Sequence, residues 1–315
     1  MKPLVIYHAN CTDGFGAAFA AWTVLGDEAE YLPMRYDEAE KWNTEDGRGR
    51  DVYILDFSLP SKTLVVLTAI AKKVVFFDHH KTAFESLLGG AAVDYMVEGK
   101  KYEAIYVDGS HFILDNNRSG ALIAWEYFNP GTVIPALISH IDDYDRWQFK
   151  LDGTKELNKA LWSGTPWNFE QWEDLACSDL TPMYKAGKAI LRAHDQNVQT
   201  VVKGTAMDCT IVDFSTITGW ESGHCGDIPH YTSFSGLMSN CPAHLSSDVG
   251  HELANQSGTF GLLWSIRKDG KCGCSLRSNG DYDVSAIAKA FGGGGHKNAA
   301  GFEVPITTLL SWVKP

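Results

Sequence analysis

The sequence predicts an α/β protein: an N-terminal doubly wound parallel sheet followed by a smaller α+β domain, with the active site in the cleft between them. Two observations carry this. Short β-branched, apolar runs alternate with helical patterns through roughly the first 150 residues, as βαβ units require. From about residue 206 the order changes to several strands and one late helix. At 315 residues the chain has room for two ordinary domains. We divide it into 1–150, a helical connector at 151–205, and 206–315.

The elements follow in order. Leu4–Tyr7 reads as a strand, and Phe15 to Leu25 as an Ala-rich helix with a bulky stripe. Val52–Leu55 is a second strand. Leu59-Pro60-Ser61 starts a helix with proline in its first turn, running to about Ala71. A strand at 73–77 follows, then one at 103–107, a helix from Ser119 to Phe128 and a short helix at 132–141. Trp162, Trp167 and Trp172 precede a long helical pattern from Pro182 to Val202. These tryptophans suit linker packing better than base stacking. Strands are expected at 209–214, 259–266, 272–277 and 300–304, and a helix at 284–291. The stretch 216–258 is rich in Gly, Ser, His, Asn and Cys, and its first part reads as a long loop.

Composition narrows the function. With 44% hydrophobic and 21% charged residues the chain is an ordinary globular protein. No stretch approaches a membrane span, and Met1–Ile6 has no signal-peptide architecture, so no membrane partner and a cytoplasmic location are expected. Seven scattered cysteines, an odd number, argue for reduced thiols. The net charge of −12, with no Lys/Arg cluster, argues against long-duplex binding. A nucleic-acid partner would be a short single-stranded oligonucleotide or a nucleotide. A homodimer is left open.

Four separated segments look like one metal-hydrolase site. They are His8–Gly14, Asp56, Asp78-His79-His80 and the acidic run Asp142-Asp143-Tyr144-Asp145. The first three lie at strand ends, where ligands bind in open parallel sheets. Hard oxygen and imidazole ligands suit Mn²⁺, with Mg²⁺ or Zn²⁺ as alternatives. Each aspartate alone could be a helix cap, but the repetition at strand ends favours a shared site. A second constellation is Gly292–Gly295 followed by His296. Glycines there permit close backbone approach and an anion nest, with Gly293, Gly294, Gly295, His296, Arg277 and Ser278 as candidate substrate contacts. Arg118 and Ser119 open a helix whose N-terminus could hold a phosphate, or Ser119 is a plain N-cap. His224-Cys225 with Cys241 and His244 offers a weaker zinc pattern, and Cys272 and Cys274 read as core.

The ordered set Asp78-His79-His80, a His…Asp-Gly first loop and an Asp after the second strand resembles the DHH phosphoesterase superfamily. Gly292–Phe302, with Ser275–Ser278 and Asp283–Ser285, resembles that family's associated C-terminal domain. The resemblance implies two Mn²⁺ ions bridged by Asp56, with His8 on the first and Asp13, His79 and Asp143 on the second. Asp142 and Asp145 are rivals to Asp143. Asp78 would orient the histidines, and His80 would contact the scissile phosphate. The family's first loop usually carries two aspartates; here the earlier position is Cys11, either a thiolate ligand or a bystander. The implied activity is hydrolysis of short oligonucleotides to nucleoside 5′-monophosphates, as in stand-alone nanoRNases. A cyclic-dinucleotide phosphodiesterase or a nucleotide 3′-phosphatase is the alternative enzyme. A degenerate nucleotide-binding module is the non-enzymatic one.

Overall fold

The computed structural model describes residues 1–80, 93–97, 100–104, 111–218 and 230–313. The chain divides into two compact units, Met1–Arg192 and Ala193–Pro315, with the boundary inside the helix Thr181–Thr205.

The first unit is built on seven strands: β1 Leu4–His8, β2 Glu30–Met34, β3 Asp51–Leu55, β4 Lys73–Asp78, β5 Val93–Val97, β6 Lys100–Ala104 and β7 His111–Leu114. Their order is β2-β1-β3-β4-β7-β6-β5. The first five in that order are parallel, and β6 and β5 add an antiparallel edge. The chain leaves β1 for β2 on one side and reaches β3 on the other, so the topological switch lies between β1 and β3. Period-two alternation separates two cores. Val5, Tyr7, Leu55, Val75 and Phe77 face one layer of helices, including Thr12–Leu25, Gly120–Phe128 and Ala136–Asp145. Leu4, Ile6, Val52, Ile54, Val74 and Phe76 face the other, against Leu64 and Leu67 of the helix Ser61–Ile70. Burial on both faces explains why these strands read as continuous apolar runs.

The strand pairing levels the site. Tyr7 pairs with Leu55, and Leu55 with Phe77. The next residue on each strand, His8, Asp56 and Asp78, therefore emerges in one row on adjacent strands.

Several elements differ from expectation. The helix expected at 132–141 spans Ala136–Asp145, starting after Pro135. The acidic run is thus its last turn rather than a loop. β2, β5 and β7 were not foreseen; the strand expected at 103–107 overlaps β6 at residues 103 and 104, and its residues 105–107 lie outside the described residues. Trp172 is buried against Phe15, with ring centroids 4.7 Å apart, and Trp167 lies 5.8 Å from Trp172. These tryptophans are packing residues of the first unit.

The second unit carries β8 Met207–Thr218, β9 His230–Asn240, β10 Phe260–Ile266, β11 Cys272–Ser278, β12 Gly294–His296 and β13 Ala299–Val304, ordered β12-β13-β11-β10-β9-β8. β9 and β10 are parallel and the other pairs antiparallel. Phe260, Leu262, Leu276, Ile287 and Trp312 centre its core, with Cys272 and Cys274 buried among them. The segment after 216 holds β9 and the helix Ser246–Ser257. His224 and Cys225 lie outside the described residues. Cys241 packs in an apolar cluster with Val198, Val249 and Leu253, and no potential metal cluster among the described residues contains Cys241 or His244. No helix among the described residues is long and apolar enough to cross a membrane.

Candidate metal centre

Asp56 is the hub of the first unit's site. It is buried, leaves β3 with a positive φ of 52°, and its amide donates to the Phe77 carbonyl at 2.9 Å. A left-handed non-glycine residue costs about 1–3 kcal/mol and persists where its surroundings fix it. Here the turn aims the carboxylate across the strand ends. Oδ1 lies 3.1 Å from His79 Nε2 and Oδ2 lies 3.6 Å from His8 Nδ1. His79 Nε2 is also 3.5 Å from Asp13 Oδ2 and 3.4 Å from Asp145 Oδ2.

Three groups of potential ligand atoms share Asp56, each with its donor atoms within 4.8 Å of one another. Asp56, Asp78 and His80 form one, in which Asp78 and His80 are tied to each other; the two left for ions are His8, Cys11 and Asp56, and Asp13, Asp56 and His79. Two ligand atoms about 2.1 Å from one ion stand about 3.0–3.4 Å apart at square or tetrahedral angles. The His79 spacings fall close to that range. The buried Nδ1 of His8 makes no hydrogen bond, as expected of an atom that awaits a cation. The residues therefore fit a metal pair.

Electrostatics agree. Burial would raise the Asp56 carboxyl, but His79, the His8 ring and the charge on His80 outweigh it and hold it below the usual carboxylate range. Burial, reinforced by Asp56 and Asp145, pushes Asp13 well up against the opposing pull of His79. Burial likewise raises Asp145, with Asp56 and Asp142 adding to it and His79 opposing. Burial and the carboxylates of Asp56, Asp145 and Asp13 keep the Cys11 thiol well above its ordinary value. Burial disfavours a charged His79, yet Asp145, Asp56 and Asp13 raise it well above the ordinary imidazole. Too many anionic groups share too little positive charge, which divalent cations would correct.

A second layer positions these groups. Asp78 Oδ1 accepts from the amides of His79 and His80 at 2.7 and 2.9 Å and contacts His80 Nδ1 at 2.6 Å, while its other oxygen accepts from Ser58. Burial would raise Asp78, but His80 and His79 lower it. The carboxylate of Asp13 accepts from the amides of Gly120 and Ala121 at 2.7 and 2.9 Å, and Asp142 accepts from the Ser119 amide at 2.7 Å. The N-terminus of Gly120–Phe128 thus holds protein carboxylates. Ser119 is buried and accepts from the Leu122 amide, so it acts as the N-cap, and Arg118 is buried in ion pairs with Asp115 and Glu126. Gly14 is required where it is, because a Cβ there would lie 2.2 Å from the His8 carbonyl oxygen.

The acidic run resolves by helical geometry. Asp142 and Asp145, three residues apart, share a face, while Asp143 points about 100° away. Asp143 accepts from the amides of Lys150 and Leu151 and from Thr154 Oγ1, at 2.8, 3.1 and 2.6 Å. The structure thus brings Asp145, not Asp143, beside His79. Pro135, as a helix-start signal, could have placed this turn. Sequence reasoning also missed Tyr36, whose half-exposed ring lies 5.3 Å from that of His8 and stacks on Phe57 at 4.9 Å.

In the second unit the glycine run has a packing role that was not expected. Gly292 and Gly293 donate to Lys289 and Ala288 carbonyls, closing the preceding helix. Gly294–His296 pairs with β13. A Cβ at Gly293 would meet the Gly301 oxygen at 2.0 Å, and one at Gly295 the Ala299 oxygen at 2.4 Å. Arg277 donates to Ser247 Oγ and the Leu276 carbonyl, and Ser278 bridges Asn298 and the Tyr282 carbonyl.

Comparison with known proteins agrees with both halves. Residues 243–311 match the DHHA1 domain. The chain is 29% identical over 324 residues to an uncharacterized protein of Acanthamoeba polyphaga mimivirus, covering 95% of this chain and 66% of that protein. It is 22% identical over 321 residues to the oligoribonuclease NrnB of Bacillus subtilis, covering 95% and 72%. Among solved structures, the DHH domain of a member of the s1p family of ribosomal proteins matches with a TM-score of 0.55 at 13% identity, covering 98% of this chain and 85% of that one. Residues 243–311 thus carry a DHHA1 domain, and the chain as a whole is similar to these relatives.

Proposed function

We propose that this protein is a metal-dependent phosphodiesterase that hydrolyses short oligonucleotides to nucleoside 5′-monophosphates. The observation that carries it is the position of Asp56, shared by the His8–Cys11 group and the Asp13–His79 group. Such sharing is what a two-metal hydrolytic site requires. Asp56 would bridge the ions, His8 and Cys11 would complete the first site, and Asp13, His79 and Asp145 the second. Mn²⁺ suits the second set. Bound there, the pair would acidify a water and neutralise the phosphate. Asp78 holds His80 through Nδ1, and His80 would contact a phosphate oxygen. The exposed ring of Tyr36 offers a base a stacking surface. We assign catalysis to the first unit and nucleotide holding to the DHHA1 unit, through His296 and Arg277.

The name of the B. subtilis relative supports the substrate class, and the acidic chain supports short substrates over long duplexes. Free cysteines among the described residues fit a reducing compartment. The test is a panel with Mn²⁺: di- to pentanucleotides of RNA and DNA, cyclic dinucleotides and 3′-phosphoadenosine 5′-phosphate, with products weighed by mass spectrometry. Fastest release of monophosphates from the linear oligomers is expected. Preference for a cyclic or 3′-phosphate substrate would replace this reading.

A further inference from the structure

The two ligand groups around Asp56 are chemically unequal. One offers an imidazole, a thiol and a carboxylate, from His8, Cys11 and Asp56. The other offers an imidazole and carboxylates only, from His79, Asp13 and Asp56, with Asp145 3.4 Å from the same imidazole nitrogen. Cys11 sits at the N-cap of the helix Thr12–Leu25, but its side chain makes no capping hydrogen bond. The buried Nδ1 of His8, in the same ligand group, makes no hydrogen bond and faces Asp56 Oδ2 at 3.6 Å. Asp13, two residues on from Cys11, has both oxygens engaged by the amides of Gly120 and Ala121 and lies against His79.

Resting on the reading of this site as a metal pair, we propose that the centre is asymmetric. The His8–Cys11–Asp56 site takes a thiophilic divalent ion such as Zn²⁺, and the Asp13–Asp56–His79–Asp145 site takes a hard ion such as Mn²⁺ or Mg²⁺. Thiolate selects soft and borderline ions, whereas carboxylate-rich sets favour hard ones. Three protein ligands on the soft side also match the open coordination of a catalytic zinc, which keeps one position for water or substrate.

The test uses full-length protein, stripped with chelator and reloaded, read by metal content and by the optical spectrum of Co²⁺. Wild type should bind two ions and show a thiolate-to-cobalt charge-transfer band in the near ultraviolet. Zn²⁺ should abolish that band and Mn²⁺ should not. Cys11→Ser should lose the band and keep the hard ion. Cys11→Asp should bind two Mn²⁺ with no band, which separates loss of the thiolate from loss of fold. Asp13→Asn should keep the band and lose Mn²⁺. Two bound ions in wild type with no band, or a band that survives Cys11→Ser, would overturn the asymmetry and leave the metal pair standing. Absence of any bound ion in wild type would overturn both.

Discussion

Gly120 stands so close to Asp56 that a Cβ at position 120 would lie 2.4 Å from the Asp56 Cβ. The same glycine donates its amide to Asp13 Oδ2. One residue with no side chain thus lets the hub carboxylate and a second carboxylate share the end of one helix. Gly120→Ala should displace Asp56 at a cost of about 1–3 kcal/mol in stability. It should lower activity by about a hundredfold, as small displacements of reacting groups do. Thermal unfolding and dinucleotide turnover of the variant measure both, and Mn²⁺ titration reads the displacement of Asp56. An alanine variant with wild-type metal affinity would show that Asp56 tolerates displacement.

Asp145 and Asp143 should part company on substitution. Asp145→Asn removes a carboxylate 3.4 Å from His79 Nε2 and should weaken Mn²⁺ binding at the second site by about tenfold or more. Asp143→Asn should leave metal stoichiometry unchanged, because its oxygens serve Lys150, Leu151 and Thr154. Calorimetric titration of the two variants side by side distinguishes them. The reverse pattern would restore Asp143 as the ligand.

The Asp143 carboxylate also makes a pH signature. Burial would raise it, but the hydrogen bonds from Thr154, Lys150 and Leu151 prevail and lower it. A lowered folded-state pKa contributes stability above the unfolded value of about 4 and loses it as pH falls through the folded value. Asp143→Asn should therefore be less stable than wild type at neutral pH, by about 1–3 kcal/mol. The gap should narrow as pH falls below about 4. Denaturant unfolding at a series of pH values checks this, and a gap constant with pH would contradict it.

Tyr36→Ala should raise KM for a dinucleotide about tenfold, the scale of one lost base stack, with kcat retained. Tyr36→Phe should behave as wild type, since the ring and not the hydroxyl provides the surface. Steady-state kinetics separates the two. A loss in kcat alone would place Tyr36 in the chemistry instead.

His296→Ala should likewise raise KM with little change in kcat, because the DHHA1 unit is assigned to substrate holding. A fall in kcat at constant KM in the same assay would reject that division of labour.

The sheet and the row His8, Asp56, Asp78 of the candidate site were legible because each of these residues ends or follows a buried strand. Val5, Ile54 and Phe76 are buried on opposite faces, so their runs are apolar throughout and end abruptly at His8, Asp56 and Asp78. β2 was not legible. Glu30–Met34 has an exposed pattern and contains Pro33, tolerated because the strand lies at the sheet edge. Choosing among the three aspartates of the acidic run required knowing that the run lies inside the helix, which extends to Asp145 instead of ending at 141. The glycine run was legible as a site where backbone comes close, but not which backbone. Its close neighbours are Gly301 and Ala299 of its own hairpin.

The central claim is that Asp56 joins two ions into one hydrolytic centre. The most direct measurement compares wild type and Asp56→Asn for bound Mn²⁺ and for hydrolysis of a dinucleotide in the same preparation. Wild type should hold two ions and turn over; the folded variant should lose at least one ion, with turnover reduced by about a thousandfold or more, consistent with removal of major transition-state stabilisation. Full activity in Asp56→Asn, with metal content unchanged, would contradict it.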